Sequence, residues 1–290
     1  METRIYVDGR VSDEAGAVVP VLDRGFLYGD SVYEVVRTAG GRPVDLAPHL
    51  DRLERSAERI GLGLPPRATI EGAVGETLGA AGAGAGRPGE AYVRVVVTRG
   101  GGEIGLDPRL ADRPRLVVIV KPLAAPRPEL YEQGCEVRVV SVERTSKRAL
   151  DPAIKSGNYL NNILALDQAR RSDAYEAVMC DAEGRVTEGS TSNLWCVRGG
   201  VARTPPVAVG ILPGITRWRL LGLARDAGIP AEEVDLYPAD LHAADELFLT
   251  SSIRGVLPIG KIDERAVPVG PVTRRLQALY DDFLAGVARG

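Results

Sequence analysis

Prolines 122, 126 and 128 fall within the eight residues Lys121-Pro-Leu-Ala-Ala-Pro-Arg-Pro128. Proline fixes φ and removes a backbone donor, so neither a helix nor a central strand can run through such a stretch. The segment reads as an extended connector and divides the 290-residue chain in two. Residues 1–120 are expected to form a small N-terminal α/β domain, 121–128 a linker, and 129–290 a larger C-terminal domain. A chain of this length can supply a hydrophobic core to each.

Both secondary-structure periods are visible before the linker. Arg4-Ile-Tyr-Val-Asp8-Gly9-Arg-Val reads as a hairpin, because Asp and Gly tolerate the positive φ of a tight turn. Residues 22–38 join a glycine-marked turn to a Val- and Tyr-rich run, and the pattern fits helix or strand equally. The clearest helix starts at Pro48, carries Leu50, Leu53, Ala57 and Ile60 on one face and stops at Gly61. It sets His49 and Arg52, three apart, beside that stripe. Another helix follows Pro66 and dissolves into a low-complexity run over residues 79–89. Residues 91–99 and 115–120 are rich in β-branched side chains and belong to one sheet. Beyond the linker strands dominate: 135–142, 175–180, two runs flanking Gly199 and Gly200, and 246–252. Helices are expected from Lys155 to about Arg171, from Gly214 to Gly228 with Trp218, Leu221 and Ala224 on one side, and from Pro271 onward.

Composition removes several functions. A net charge of −3 leaves no basic excess to neutralise phosphates, which argues against nucleic acid as the main partner. Cys135, Cys180 and Cys196 are odd in number and form no C-x-x-C, so neither a disulfide framework nor a zinc knuckle is indicated, and a reducing cytoplasm fits. His49 and His242 are too few for the usual catalytic metal sites. The opening residues lack the apolar core of a signal peptide, and the clean apolar run at 116–120 is far too short to cross a bilayer.

What remains is an unusual lysine. Only positions 121, 147, 155 and 261 are lysine, and the other basic residues are arginine. An amine can lose its proton and attack a carbonyl, whereas a guanidinium cannot. Lys155 stands in Asp151-Pro-Ala-Ile-Lys-Ser-Gly-Asn-Tyr159-Leu-Asn-Asn162, while its neighbour Lys147 lies in Arg144-Thr-Ser-Lys-Arg148, a run that reads as exposed. Downstream follow Thr187-Glu188-Gly-Ser-Thr-Ser-Asn193 and Gly210-Ile-Leu-Pro-Gly-Ile-Thr-Arg217, and upstream His49-Leu-Asp-Arg52. The glycine turn before a helix at 210–217 suits an anion, because the first N–H groups of a helix have no internal partner.

These four motifs, in this order, resemble the class IV aminotransferases, the fold type IV enzymes that use pyridoxal 5'-phosphate. The group includes D-amino-acid and branched-chain aminotransferases and aminodeoxychorismate lyase. The resemblance runs from Ile5 to about Tyr280. It implies a two-domain α/β fold whose larger C-terminal domain is a pseudo-barrel, and a homodimer with the active site near the interface. It implies Lys155 as the covalent and proton-transferring amine, Glu188 against the pyridine nitrogen, and Tyr159 at the ring hydroxyl. Arg52, Ile215, Thr216 and a hydroxyl from Thr250 or Ser251 would hold the phosphate. The Arg-x-His device by which some D-amino-acid enzymes bind the substrate carboxylate is absent from Gly100-Gly-Gly-Glu-Ile-Gly105. Arg24, acting across the dimer interface, and Arg94 are the candidates to replace it, with Tyr33, Tyr92 and Ser252 completing the substrate set. The favoured substrates are D-amino acids, on the likeness of Asp23-Arg-Gly-Phe-Leu-Tyr-Gly-Asp30 and Lys-Ser-Gly-Asn, with pyruvate or 2-oxoglutarate as acceptor in a ping-pong exchange. Branched-chain L-amino acids are the first alternative, on Tyr92-Val-Arg94, and the lyase is the second, on Lys-Ser-x-x-Tyr-Leu-Asn-Asn with the turn at 250–254.

Overall fold

A computed structural model describes residues 1–84, 89–111 and 113–290; residues 85–88 of the expected low-complexity run lie outside the described residues. The chain separates into two compact units. One comprises Met1–Ala124, Ile154–Asn158 and Leu284–Gly290, the other Ala125–Ala153 and Tyr159–Phe283.

In the first unit β1 (Arg4–Val7) and β2 (Arg10–Ser12) pair through a turn with Asp8 at φ 43° and Gly9 at φ 96°, as the Asp-Gly pair predicts. The ambiguous stretch after them holds both elements. A short helix α1 (Arg24–Tyr28) is capped by the Asp23 carboxylate, which accepts from the Gly25 amide, and β3 (Ser31–Ala39) follows. Next come β4 (Arg42–Pro43), α2 (Leu46–Arg59), α3 (Arg67–Ala80), β5 (Ala91–Thr98) and β6 (Arg115–Pro122). Among the described residues the strands form a six-stranded sheet in the order β2-β1-β6-β5-β3-β4. Strand alternation turns Val32 and Val36 of β3 and Val93, Val95 and Val97 of β5 into one core with Leu50, Leu53 and Ala57 of α2 and Ile70, Val74 and Leu78 of α3. Each such aliphatic side chain contributes about 1.5–3 kcal/mol by leaving water.

Lys155 belongs to this unit, in extended backbone laid along β3. The Tyr33 amide donates to the Lys155 carbonyl (2.9 Å), the Gly157 amide to the Ser31 carbonyl (2.9 Å), and Val32 bridges Ser156. The helix expected to begin at Lys155 starts instead at Leu160. The reason is that β4 pairs only with Thr38 and Ala39, so the start of β3 has an edge whose polar groups residues 155–157 satisfy.

The second unit runs α4 (Pro128–Gln133), β7 (Cys135–Val139), α5 (Leu160–Arg170), β8 (Glu176–Cys180), β9 (Val186–Gly189), β10 (Asn193–Arg198), β11 (Val201–Thr204), α6 (Ile215–Asp226), β12 (Ala231–Glu233), α7 (Pro238–His242), β13 (Glu246–Ser251), β14 (Gly255–Ile262), β15 (Arg265–Ala266) and α8 (Pro271–Arg289), whose residues from Leu284 on belong to the first unit. Its sheet is ordered β12-β11-β10-β13-β14-β7-β8-β9, and β9 also pairs with β10. Strands β10, β13, β14, β7, β8 and β9 therefore close on themselves, the barrel-like domain expected. Closure rests on Glu188 standing opposite Asn193. Leu194, Leu247, Leu249, Leu257 and Ile259 share one core, while Trp195 stacks on its register partner Phe248 at 5.3 Å.

Helix α6 turns a different face inward from the one expected. Ile215, Thr216, Arg217, Leu220 and Ala224 are buried, whereas Trp218 is 52% exposed. Buried Arg217 fixes this rotation by donating to the Thr204 hydroxyl, the Pro205 carbonyl and Glu233. Among the described residues, no helix is long and apolar enough to cross a membrane.

Candidate active site

Each unit carries its own set of candidate residues. In the first, strand period puts Glu34 on the same face of β3 as the core residues Val32 and Val36, where it is 0% exposed. Its carboxylate receives Arg52 in two-pronged fashion, Nε to Oε1 and Nη2 to Oε2, both at 2.7 Å, and His49 Nδ1 lies 2.6 Å from Oε2. His49 and Arg52, three apart on α2, reach it from one helix face. Burial pushes the Glu34 carboxyl up, but the charges and hydrogen bonds of Arg52 and His49 outweigh it and hold it at about 2. Burial pulls the His49 imidazole below its ordinary range; Glu34 opposes that, and the charges of Arg52 and Lys155 reinforce it. A neutral imidazole beside an ionised carboxylate places the proton on Nδ1, which donates to Glu34.

Lys155 Nζ rests 4.5 Å from the centroid of the Tyr33 ring, and Arg94 Cζ lies 3.9 Å from the same centroid. Tyr33 stands opposite Val96, so its ring shares a sheet face with Arg94 and Tyr92. Tyr92 is half-buried, with Lys121 Nζ 5.1 Å from its ring. The Lys155 amide donates to Ser56 Oγ on α2 at 3.1 Å.

Arg24 is placed differently. It is 4% exposed, and its guanidinium donates to Asp30 (2.9 Å) and to the carbonyls of Gly105 (2.6 Å), Leu106 (3.3 Å) and Asp107 (3.4 Å). Its donors thus grip the backbone of the loop after β5.

In the second unit Glu188 is 5% exposed. Its Oε1 accepts from Arg144 Nε (3.0 Å) and Nη2 (2.9 Å), and its Oε2 from Asn193 Nδ2 (3.3 Å) and the Leu212 amide (3.0 Å). Asn193 Nδ2 also donates to the Leu212 carbonyl at 3.0 Å. Glu188 is thereby tied to the turn at 210–214 that leads into α6. Gly214, the residue before that helix, offers no side-chain cap, and Ile215 and Thr216 are buried at its first turn. Thr250 Oγ1 accepts from Trp195 Nε1 at 3.1 Å, Ser251 at the end of β13 and Ser252 in the turn after it are half-buried, and Tyr159 is half-buried just before α5. Lys155 and Tyr159 both precede that helix, so neither lies on the helix expected to begin at Lys155.

Behind this set Glu176, 0% exposed, accepts from the Ser190 amide (3.0 Å) and hydroxyl, Thr191 Oγ1 (3.0 Å), Ser192 Oγ (3.3 Å) and Arg254 Nη1 (2.9 Å). Burial raises its carboxyl, and Arg254 with the Ser190 and Ala177 donors brings it below the ordinary range. It ties the loop after Glu188 to the turn bearing Ser251 and Ser252.

Sequence reasoning missed Glu34, Arg144, Glu176 and Arg254. Glu34 had a signal, an acid in register with valines on a strand. Arg144 had none, since the polar run 144–148 gives no period; Lys147 and Arg148 are exposed as expected, but the Arg144 side chain is only 11% exposed.

In one unit a buried carboxylate at the barrel edge is tied to a helix start that has no side-chain cap, and in the other a lysine and an arginine share one tyrosine ring. Residues 31–262 match the family model for amino-transferase class IV, and the chain belongs to that family of pyridoxal-phosphate-dependent transaminases. It is 40% identical over 284 residues to a Methanocaldococcus jannaschii protein carrying the provisional name branched-chain-amino-acid aminotransferase, covering 97% of this chain and 96% of that one. It is 31% identical to the D-alanine aminotransferase of Bacillus licheniformis, covering 99% of both. Among solved structures it resembles the branched-chain aminotransferase of Thermoproteus uzoniensis crystallised with norvaline, with a TM-score of 0.90 and 35% identity over 98% of this chain and 95% of that one.

The donor sets fit pyridoxal phosphate: an amine for its carbonyl, a carboxylate for its ring nitrogen, and a helix start for its phosphate.

Proposed function

We propose that this enzyme exchanges the amino group of aliphatic, branched-chain amino acids with a 2-oxo acid such as 2-oxoglutarate or pyruvate. The observation that carries amino-acid chemistry is the shared Tyr33 ring, which sets the Arg94 guanidinium beside the Lys155 amine. A substrate carboxylate on Arg94 brings its α-carbon toward Lys155. When bound, the cofactor supplies an electron-accepting ring for charge that develops at that carbon. Lys155 would hold the cofactor covalently and, as the free amine, would move the α-proton. Glu188 would face the ring nitrogen and Tyr159 the ring hydroxyl. The Ile215 and Thr216 amides, the Thr216 hydroxyl, Arg52 and Thr250 or Ser251 would take the phosphate, with Glu34 and His49 aligning Arg52. Tyr33, Tyr92 and Ser252 border the substrate.

Branched-chain substrates stand first because the 40% and 35% identical relatives carry that name. The D-alanine relatives support a second reading, the one the early motifs put foremost. Half-reactions of the holoenzyme with L-leucine, D-alanine and aminodeoxychorismate, followed through cofactor absorbance, test the choice. L-leucine is expected to react fastest; a faster D-alanine reaction replaces the first reading with the second. Arg94→Ala is expected to raise KM for amino acids and to leave an amine without a carboxylate nearly unaffected. Equal losses on both would remove Arg94 from substrate binding.

The proposal includes a homodimer in the cytoplasm. Phe26 (73% exposed), Ile104 (74%) and Leu106 (80%) are apolar side chains of a size usually covered by a partner, and a second copy is the partner proposed. Sedimentation velocity showing only monomer would exclude it.

A further inference from the structure

We infer that Arg144 is a positioning residue for the reaction, acting through Glu188; this rests on the proposed pairing of Glu188 with the ring nitrogen. Arg144 Nε and Nη2 converge on a single oxygen of the Glu188 carboxylate, at 3.0 and 2.9 Å. Two donors from one rigid guanidinium hold that oxygen while Asn193 Nδ2 and the Leu212 amide hold the other, and together they fix the carboxylate plane. The remaining nitrogen, Nη1, reaches the side-chain oxygens of Asn161 (3.3 Å) and Asn162 (3.4 Å) at the start of α5. Asn162 Nδ2 donates in turn to the Ser190 carbonyl at 2.8 Å, and Asn161 Nδ2 to the Glu143 carbonyl at 2.8 Å. The Asn161-Asn162 pair thus gains a purpose: it aims Arg144.

The electrostatic role follows from burial. A carboxylate 5% exposed is disfavoured in its charged form, and a cation at 2.9 Å restores that form. The Arg144 ion pair favours the carboxylate form of Glu188, which would face the ring nitrogen with its charge already shared. Arg144 therefore sets how firmly the cofactor ring is held and how well it withdraws electrons.

The test is a cycle of Arg144→Met, Glu188→Gln and the double variant, with Arg144→Lys as the conservative change. The readouts are the Kd of the apoenzyme for pyridoxal phosphate by fluorescence quenching, kcat, and the Tm of the apoenzyme. Arg144→Met is expected to weaken cofactor binding and lower kcat by about tenfold or more, within the range of couplings between contacting residues. Arg144→Lys should recover part of both. In the Glu188→Gln background, Arg144→Met should cost nothing further in either. Losses that multiply in the double variant would show Arg144 acting independently of Glu188 and overturn the inference. So would a fall in Tm alone, with Kd and kcat unchanged, which is the mark of a structural brace. Should Arg144→Met fail to fold, wild-type Kd and kcat in Arg144→Lys would overturn it equally. A Glu188→Gln enzyme with wild-type Kd and kcat would defeat the ring-nitrogen reading itself, and the inference with it.

Discussion

Lys155 is the amine proposed to carry the chemistry, and that role is open to direct labelling. Borohydride reduction of the holoenzyme followed by peptide mapping should mark Lys155, and Lys155→Ala should lose the label; a label on Lys147 or Lys261 would reassign the amine. The stability of its surroundings depends on Glu34. Replacing it with Gln leaves Arg52 buried without its counter-ion, a change that costs about 3–5 kcal/mol when a buried pair is broken. Removing both charges in Glu34→Gln/Arg52→Met should recover most of that loss, because no uncompensated charge remains. Urea unfolding measures both variants, and wild-type stability in the single variant would mean that Arg52 finds another counter-ion.

Among the elements, the turn into α6 and the loop after β5 each depend on a few side-chain contacts. A Cβ at position 214 would overlap Asn193 Oδ1, so Gly214→Ala must displace the side chain that donates to Glu188 and to Leu212. Overpacking of this kind costs about 1–3 kcal/mol, and here it should also weaken pyridoxal-phosphate binding. Cofactor affinity equal to wild type would show that the turn can shift without disturbing the site. The loop at 105–107 hangs on Arg24, which meets three of its carbonyls. Arg24→Ala should accelerate amide exchange across residues 101–107, and Arg94→Ala should not. Unaltered exchange in Arg24→Ala would show that the loop is held without it.

At the scale of the molecule, acid should act through buried ionisable groups. The His49 pKa is lowered on folding from 6.5, so the unfolded chain binds the proton first and stability falls as pH drops below about 6.5. Glu34, lowered from 4.5 to about 2, adds a contribution that is complete above about 4.5 and lost as pH falls through about 2. Urea midpoints at about pH 7.5 and about pH 5.5 should differ less in His49→Asn than in the wild type; an identical difference would assign the acid sensitivity elsewhere. The amino-acid sequence by itself determined the chemistry: a rare amine, an acid and a glycine-led helix in a fixed order, and strands and helices read from periods of two and 3.6. These are contiguous signals, written in neighbouring residues. Only the tertiary structure decided that Lys155 lies along β3 rather than on a helix, that Arg24 grips a loop, and that Glu34 and Glu176 are buried, and Arg144 largely covered, in charge pairs. An arginine reads the same in sequence whether solvated or buried. Its partner stands tens of residues away, as Arg144 does from Glu188, and it is folding that excludes water from between them.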